Sequence, residues 1–394
     1  MNLSVAVNKH FSLEVQQPTR LSPNIMASKP PINAPPPPPP LSPNPSSSSP
    51  PSAPSSSILF HSNETTLIDI PRSLEEAQVP TGQQSPARRI ISGSPALTPF
   101  ITPEPRRASD VFGASSQSAG AQIAELMAAA AARGALEELG RAYEGVFCLP
   151  RVCGADGDAK ICVGEKSEAA SSSDVKIPPG AKYLHGSIQD LRQTFIDTAP
   201  QFKFIVLDPP WPNRSVRRNQ KADTNYNTVA NITEMRDLLS SIPVASHLAP
   251  DGLVAVWITN KASILDLMTS PRGIFASWGL ELVTQWTWLK VTVAGEPIFD
   301  IDSAWRKPWE TLLIAKRAGG KVPAGGRIKL KPRVVVAVPD VHSRKPNLRG
   351  LFGDVFGGEE YRGLEVFARN LTAGWWSWGD QVLHFQGAEH WVDG

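Results

Sequence analysis

The sequence predicts an α/β protein: a largely parallel sheet with helices on both faces, preceded by a Pro/Ser-rich region and a small helical element. Three observations lead there. From about residue 181 to residue 394, short apolar runs alternate with stretches of helical period, the order of a layered β/α sheet. Several of those runs are continuously apolar, as in strands covered on both faces. The 38 prolines of the 394 residues are unevenly spread, crowding the first 120 positions.

Residues 1–120 include six consecutive prolines, Pro35 to Pro40. A segment so poor in apolar surface does not offset its ordering entropy, and it is expected to be disordered. The proline run reads as a spacer or as a docking strand for a proline-binding domain. Arg88-Arg89 and Arg106-Arg107-Ala108-Ser109 have the pattern of basic kinase sites. Residues 121–180 form a small helical element and linker. Its helix, 121–143, carries Ile123, Leu126, Met127, Leu136 and Leu139 among many alanines, and Gly134 and Gly140 are expected to interrupt it.

Strands are expected at 202–208, 253–258, 282–289, 311–315, 334–338, 364–368 and 381–385. Asn231 and Glu234 have the spacing of a capping box, opening a helix through Ile232, Met235, Leu238, Leu239 and Ile242 that Pro243 closes. A second helix is expected at 348–356, its core face made by Leu348, Leu351, Phe352 and Val355.

The formal net charge of +2 imposes no nucleic-acid partner, which has to be read from local patches. Cys148, Cys153 and Cys162 are too few and too odd for a disulfide framework. With His185 they number a zinc set, but the reading preferred is reduced thiols and no metal. No signal core and no run of about 18 apolar residues is present, which points to a soluble intracellular protein without a membrane partner.

The chemistry concentrates at 204–211, Phe-Ile-Val-Leu-Asp-Pro-Pro-Trp. A buried strand delivers Asp208 at its carboxyl end, where open α/β sheets bind ligands. Transfer of a carbon group to an exocyclic amine requires the nitrogen lone pair to be drawn out of the ring and aimed. The Asp208 carboxylate accepts one N–H and the Pro209 carbonyl the other, and the carboxylate stabilises charge developing on nitrogen. Pro209 and Pro210 stiffen the turn and leave no competing backbone N–H, while Trp211 offers a stacking face. A strand ending in a plain Asp-Pro turn is the bland alternative.

Further stretches follow in order: Trp257 to Asn260, Trp286 to Lys290, Lys307-Pro308-Trp309-Glu310, His342 to Pro346, Glu365 to Leu371, and Trp375 to Gln381. With Asp208 to Arg218 they resemble the adenine-N6 methyltransferases of the MT-A seventy family, and its methyltransferase-like four branch in particular. The resemblance spans about 182–394. It implies a Rossmann-like class I methyltransferase sheet in permuted order, the catalytic motif preceding the cofactor motif, with S-adenosylmethionine as cofactor. It implies contacts to that cofactor from Ser187, Ile188, Asp208, Lys345, Glu365, Arg369, Asn370, Asp380 and Gln381. Lys345 would pair the carboxylate, and Arg369 and Asn370 the ribose hydroxyls. Two positions depart from the family's usual text, Asp380 (often Asn) and Ser187 (Asp in some). A salt bridge of Glu365 with Arg369 is the alternative to its ligand contact.

On the substrate side, the loop after Trp211 carries Asn213, Arg214, Arg217, Arg218, Lys221 and Tyr226, suited to phosphates and to a neighbouring base. Asn260, Trp288, Lys290 and Lys307 complete the expected substrate set, Trp288 together with Trp286, Trp305 and Trp309 as pocket wall. The branch resembled implies N6-methylation of 2′-O-methyladenosine in a small nuclear RNA, single-stranded at the target. A monomer in the nucleus is expected with it. The alternatives are a DNA adenine methyltransferase, an inactive RNA-binding scaffold of the same fold, and methylation of a glutamine amide.

Overall fold

In the computed structural model, the residues described are 56–83, 88–102, 119–154, 175–212, 231–303, 306–323, 330–358 and 360–393. The proline run, residues 106–109, Cys162, Trp305 and the whole set Asn213, Arg214, Arg217, Arg218, Lys221 and Tyr226 lie outside them. The strands are β1 (Ile58–His61), β2 (Thr65–Ile68), β3 (Arg88–Ser92), β4 (Val152–Cys153), β5 (Lys182–His185), β6 (Phe202–Leu207) and β7 (Leu248–Ile258). They continue as β8 (Leu280–Lys290), β9 (Trp309–Arg317), β10 (Arg333–Ala337), β11 (Gly363–Val366), β12 (Trp376–Gly379) and β13 (Trp391–Asp393). The helices are α1 (Ile70–Glu76), α2 (Ala119–Ala142), α3 (Ile188–Thr198), α4 (Ile232–Ser241), α5 (Val244–His247), α6 (Ala262–Thr269), α7 (Ile274–Ser277) and α8 (Arg349–Val355).

Ten strands form one sheet in the order β1-β2-β10-β8-β9-β7-β6-β11-β12-β5. β9 is antiparallel to both neighbours and β1 to β2; the other pairings are parallel. Both faces are covered, as the apolar runs required. Along β6 the alternation is explicit: Ile205 and Leu207 join Phe195, Met235, Leu239 and Ile264 on one side, and Phe204 and Val206 join Leu74, Leu351 and Phe352 on the other. The Phe204 and Phe352 rings stack with centroids 3.9 Å apart. Local signals place the helix starts. The Asn231 side chain accepts from Glu234 N at 3.0 Å and Ser187 from Asp190 N at 3.1 Å.

Four expectations are corrected. Residues 58–76 are not disordered: β2 pairs with β10, extending the sheet. Arg333, buried under the β1–β2 turn, holds it by donating to the carbonyls of Ser62 and Asn63 at 2.9 and 2.8 Å and to Thr66 Oγ1 at 2.8 Å. Nor is residues 121–180 a separate element, because Ala53–Gly394 cluster as one unit and α2 lies on β10 and β8. α2 is uninterrupted, for Gly134 and Gly140 face open space and cost only propensity. Its buried stripe is Ala129, Ala132, Ala135 and Leu139, which clusters with Val334 and Val336 and whose alanines allow close approach, whereas Ile123, Leu126 and Met127 are exposed. Finally, 381–385 is a turn, and the last strand of the sheet in sequence is β12. No helix among the described residues is long and apolar enough to cross a membrane.

Candidate active site

Parallel strands bring their carboxyl ends to one edge, and the loops leaving that edge enclose a cavity of about 840 Å³. Asp208 enters from β6, Thr259 and Asn260 from β7, Lys290 from β8, the 339–345 loop from β10, Phe367 and Arg369 from β11, and Asp380 and Gln381 from β12. β9 runs the other way, so its first residues, Trp309 and Glu310, and the preceding Lys307 reach the same edge. A narrower pocket continues inward past Asp208 to Glu365, Asn370 and Trp375.

Four charges form a chain across this cavity. Lys345 Nζ lies 3.3 Å from Asp208 Oδ2 and 3.1 Å from Glu310 Oε2, and Lys290 Nζ lies 2.5 Å from Glu310 Oε1. Desolvation pushes the Glu310 carboxyl up, but the ammonium groups of Lys345 and Lys290 outweigh it and hold it at about 2. For Asp208, desolvation beside the strand ends prevails over Lys345, and its carboxyl is raised. Desolvation pulls Lys345 down, yet its two carboxylates leave it raised, so it stays charged. Desolvation, helped by the nearby Asp208 charge, lifts Glu365 to about 8 and keeps it protonated at neutral pH. The ammonium of Lys345 also lies 5.9 and 5.8 Å from the Trp257 and Trp288 rings.

The loop carrying Lys345 is braced from the N-terminal part of the chain. Asp340 takes Arg344 at 2.6 Å and Gly93 N at 2.9 Å, and Arg344 also donates to Ile91 O. Arg151 ties down the carbonyls of Val338, Pro339 and Gly93. Within the site, Ser343 and Phe367 hold left-handed backbone at φ 66° and 60°, a strain tolerated where surrounding structure over-determines it, often at functional positions.

The cavity gathers Asp208, Pro209, Pro210, Trp211, Asn260, Trp288, Lys290, Lys307, Lys345, Arg369, Asp380 and Gln381, and the inner pocket adds Glu365 and Asn370. Several expected roles change. Trp211 N does donate to the Pro209 carbonyl, at 2.8 Å, so the turn is not free of a competing N–H. Trp211 Nε1 donates to Trp257 O at 2.7 Å, fixing the ring in the cavity wall. Lys345 is committed to Asp208 and Glu310. Lys307 is paired by Glu125 of α2 at 2.5 Å and is not an open phosphate contact. Asn260 donates to Trp309 O. Ser187 and Ile188 line neither pocket: Ser187 caps α3, and the Ile188 side chain is in the core. Glu365 makes no ion pair with Arg369 among the described residues, the Arg369 guanidinium lying 4.6 Å from the Phe385 ring. Glu310 was the functional residue the sequence reading left without a role. Its signals were its place in the Lys307-Pro308-Trp309-Glu310 stretch and its position as an acid at the start of an apolar strand.

Residues 202–381 match the MT-A70 family profile. The N6-methyladenosine RNA methyltransferase MTA1 of Cryphonectria parasitica is 50% identical over 347 residues, covering 86% of this chain and 94% of that one. The chain belongs to the MT-A70 family of adenine-N6 methyltransferases. The protein of the same name from Pyricularia oryzae is 45% identical over 374 residues, 85% of this chain and 96% of its own. More distant is the N(6)-adenine-specific methyltransferase METTL4 of Mus musculus, 33% identical over 226 residues, 55% of this chain and 45% of that one. Within the family profile lie Asp208, Glu310, Lys345 and Glu365; Ile91, Gly93, Glu125 and Arg151, which brace them or their neighbours, lie before it.

Proposed function

We propose that this family member transfers a methyl group from S-adenosylmethionine to the N6 amino group of adenosine in single-stranded RNA. The observation that carries the reading is Asp208-Pro209-Pro210-Trp211, delivered by β6 to a site that also holds buried donors without partners among the described residues. Among the described residues, Arg369 Nε and Asn370 Nδ2 have no acceptor, and Glu365, neutral near pH 7, has a proton to donate. That donor set suits the ribose hydroxyls and carboxylate of the cofactor, with Gln381 and Asp380 at its border. When bound, the cofactor supplies an electrophilic methyl on a sulfonium.

The chain's own residues do the rest. Asp208 accepts one N–H of the adenine amine and aims the nitrogen. Nitrogen that accepted the methyl, the sulfonium leaving as a neutral thioether, would become positive and pass its proton toward Asp208. The raised affinity of that carboxyl for protons favours the transfer. Lys345 holds Asp208 in place through an ion pair shared with Glu310. Trp211, anchored at its indole N–H, presents a face to the base.

The substrate rests on the names of the relatives. The finer reading, 2′-O-methyladenosine of a small nuclear RNA methylated by a nuclear monomer, follows from the branch resembled. The test is label transfer from S-adenosylmethionine to four oligonucleotides: RNA with adenosine, RNA with 2′-O-methyladenosine, single-stranded DNA and duplex DNA. Labelling of RNA that disappears in Asp208→Ala is expected. Labelling of DNA alone would overturn the RNA reading, and cofactor binding without transfer to any oligonucleotide would overturn the catalytic one.

A further inference from the structure

We infer that the segment preceding the family domain supplies a stacking surface for a nucleotide next to the target base, with Phe100 as its contact residue. The inference rests on the nucleic-acid reading above. Ser94, Pro95, Ala96 and Phe100 line the same cavity as Asp208 and Trp211, although they precede the matched residues 202–381 by about a hundred positions. The segment is held by backbone pairing: Phe100 N donates to Ile298 O at 2.8 Å, and Val293 N to Ala96 O at 2.9 Å. These bonds set the backbone that carries the ring, and Phe100 is 50% exposed.

Phe100 is not an isolated surface aromatic. Its ring lies 5.7 Å from that of Phe299 at an interplanar angle of 54°, and the exposed Arg306 guanidinium lies 5.4 Å from the Phe299 ring. Phe100 lines the cavity, and an aromatic pair with a guanidinium beside it is a combination by which proteins hold single strands. Bases stack on the rings while cations follow the phosphates. Asp208 and Trp211 are set to take the target base, and the Phe100 wall faces the space a neighbouring nucleotide enters. Lys307, held by Glu125, lines the same cavity.

The experiment is fluorescence anisotropy of the full chain with a labelled single-stranded RNA of about nine nucleotides and a central adenosine, within the usual span of a single-strand site. Wild type, Phe100→Ala, Phe100→Trp and Leu97→Ala are compared, Leu97 being an exposed neighbour that does not line the cavity. Kd is expected to rise about tenfold in Phe100→Ala, the loss of one base–aromatic stack. It should recover in Phe100→Trp and stay unchanged in Leu97→Ala, with cofactor affinity unaltered throughout. On an RNA with abasic positions flanking the adenosine, wild type and Phe100→Ala should bind alike. An equal Phe100→Ala loss on the abasic RNA, no loss on the intact RNA, or no RNA binding by wild type would overturn the inference. Phe100-dependent RNA binding without methyl transfer would leave it standing and remove the proposed function instead.

Discussion

Glu310→Gln tests the charge chain most directly. The carboxylate joins Lys290 at 2.5 Å to Lys345 at 3.1 Å, and through Lys345 it holds Asp208. Against desolvation, those two ammonium groups bring its carboxyl from 4.5 to about 2. At about 1.4 kcal/mol per pH unit, that gap is roughly 3 kcal/mol of interaction in the folded state at pH 7. The Glu310 side chain is 23% exposed, so screening by water is partial. A carboxyl lowered on folding contributes its full stability above the unfolded value of 4.5, and that contribution is lost as pH falls toward about 2. At pH 3 roughly 1 kcal/mol should remain. Thermal unfolding of wild type and Glu310→Gln at pH 7 should differ by about 5 °C, and at pH 3 by less than half that. Equal melting temperatures at pH 7, or a difference that persists undiminished at pH 3, would refute the assignment of Glu310 as the counter-ion of both lysines.

Glu365→Gln should act with the opposite pH dependence. Its carboxyl is raised to about 8, so the stability of the native protein is full below pH 4.5 and is lost as pH rises through about 8. The variant should be more stable than wild type at pH 8, by about 4 kcal/mol, and equally stable at pH 4. Equal melting at pH 8 would show that Glu365 is not buried as a neutral acid. Gly134→Ala and Gly140→Ala, on the open face of α2, should each stabilise by about 0.5–1 kcal/mol in denaturant titration; destabilisation would mean the helix is not continuous there. Trp211→Ala should raise the KM for RNA about tenfold or more while leaving cofactor affinity unchanged, measured by label transfer and calorimetry. A lost cofactor affinity with unchanged KM would put the ring on the wrong side of the site.

Much of the site was legible in the residues alone because it is local. An apolar run of strand length ending in Asp208-Pro209-Pro210-Trp211 determines a buried strand, a stiff turn and an acid at the ligand-binding edge. Those features depend on neighbours one to four positions apart. The Asn231 cap and the 349–355 helix were readable for the same reason, and so was the coverage of the sheet on both faces. The strand expected at 381–385 failed on the same kind of signal, since a short apolar run does not distinguish a strand from a packed turn.

What tertiary structure decided is everything that depends on direction and on distant pairing. Strand direction is not written in a strand's own residues. Only the antiparallel course of β9 carries Glu310 to the edge where Lys345 and Asp208 wait, converting an unassigned acid into the centre of the charge chain. The short runs at 58–61 and 65–68 have too little period to announce themselves. They become strands because β10 offers an open edge and Arg333 ties the turn between them. Phe100 likewise acquires meaning only from where the chain returns, beside Ile298 and Phe299, lining a cavity built largely by residues a hundred to nearly three hundred positions later.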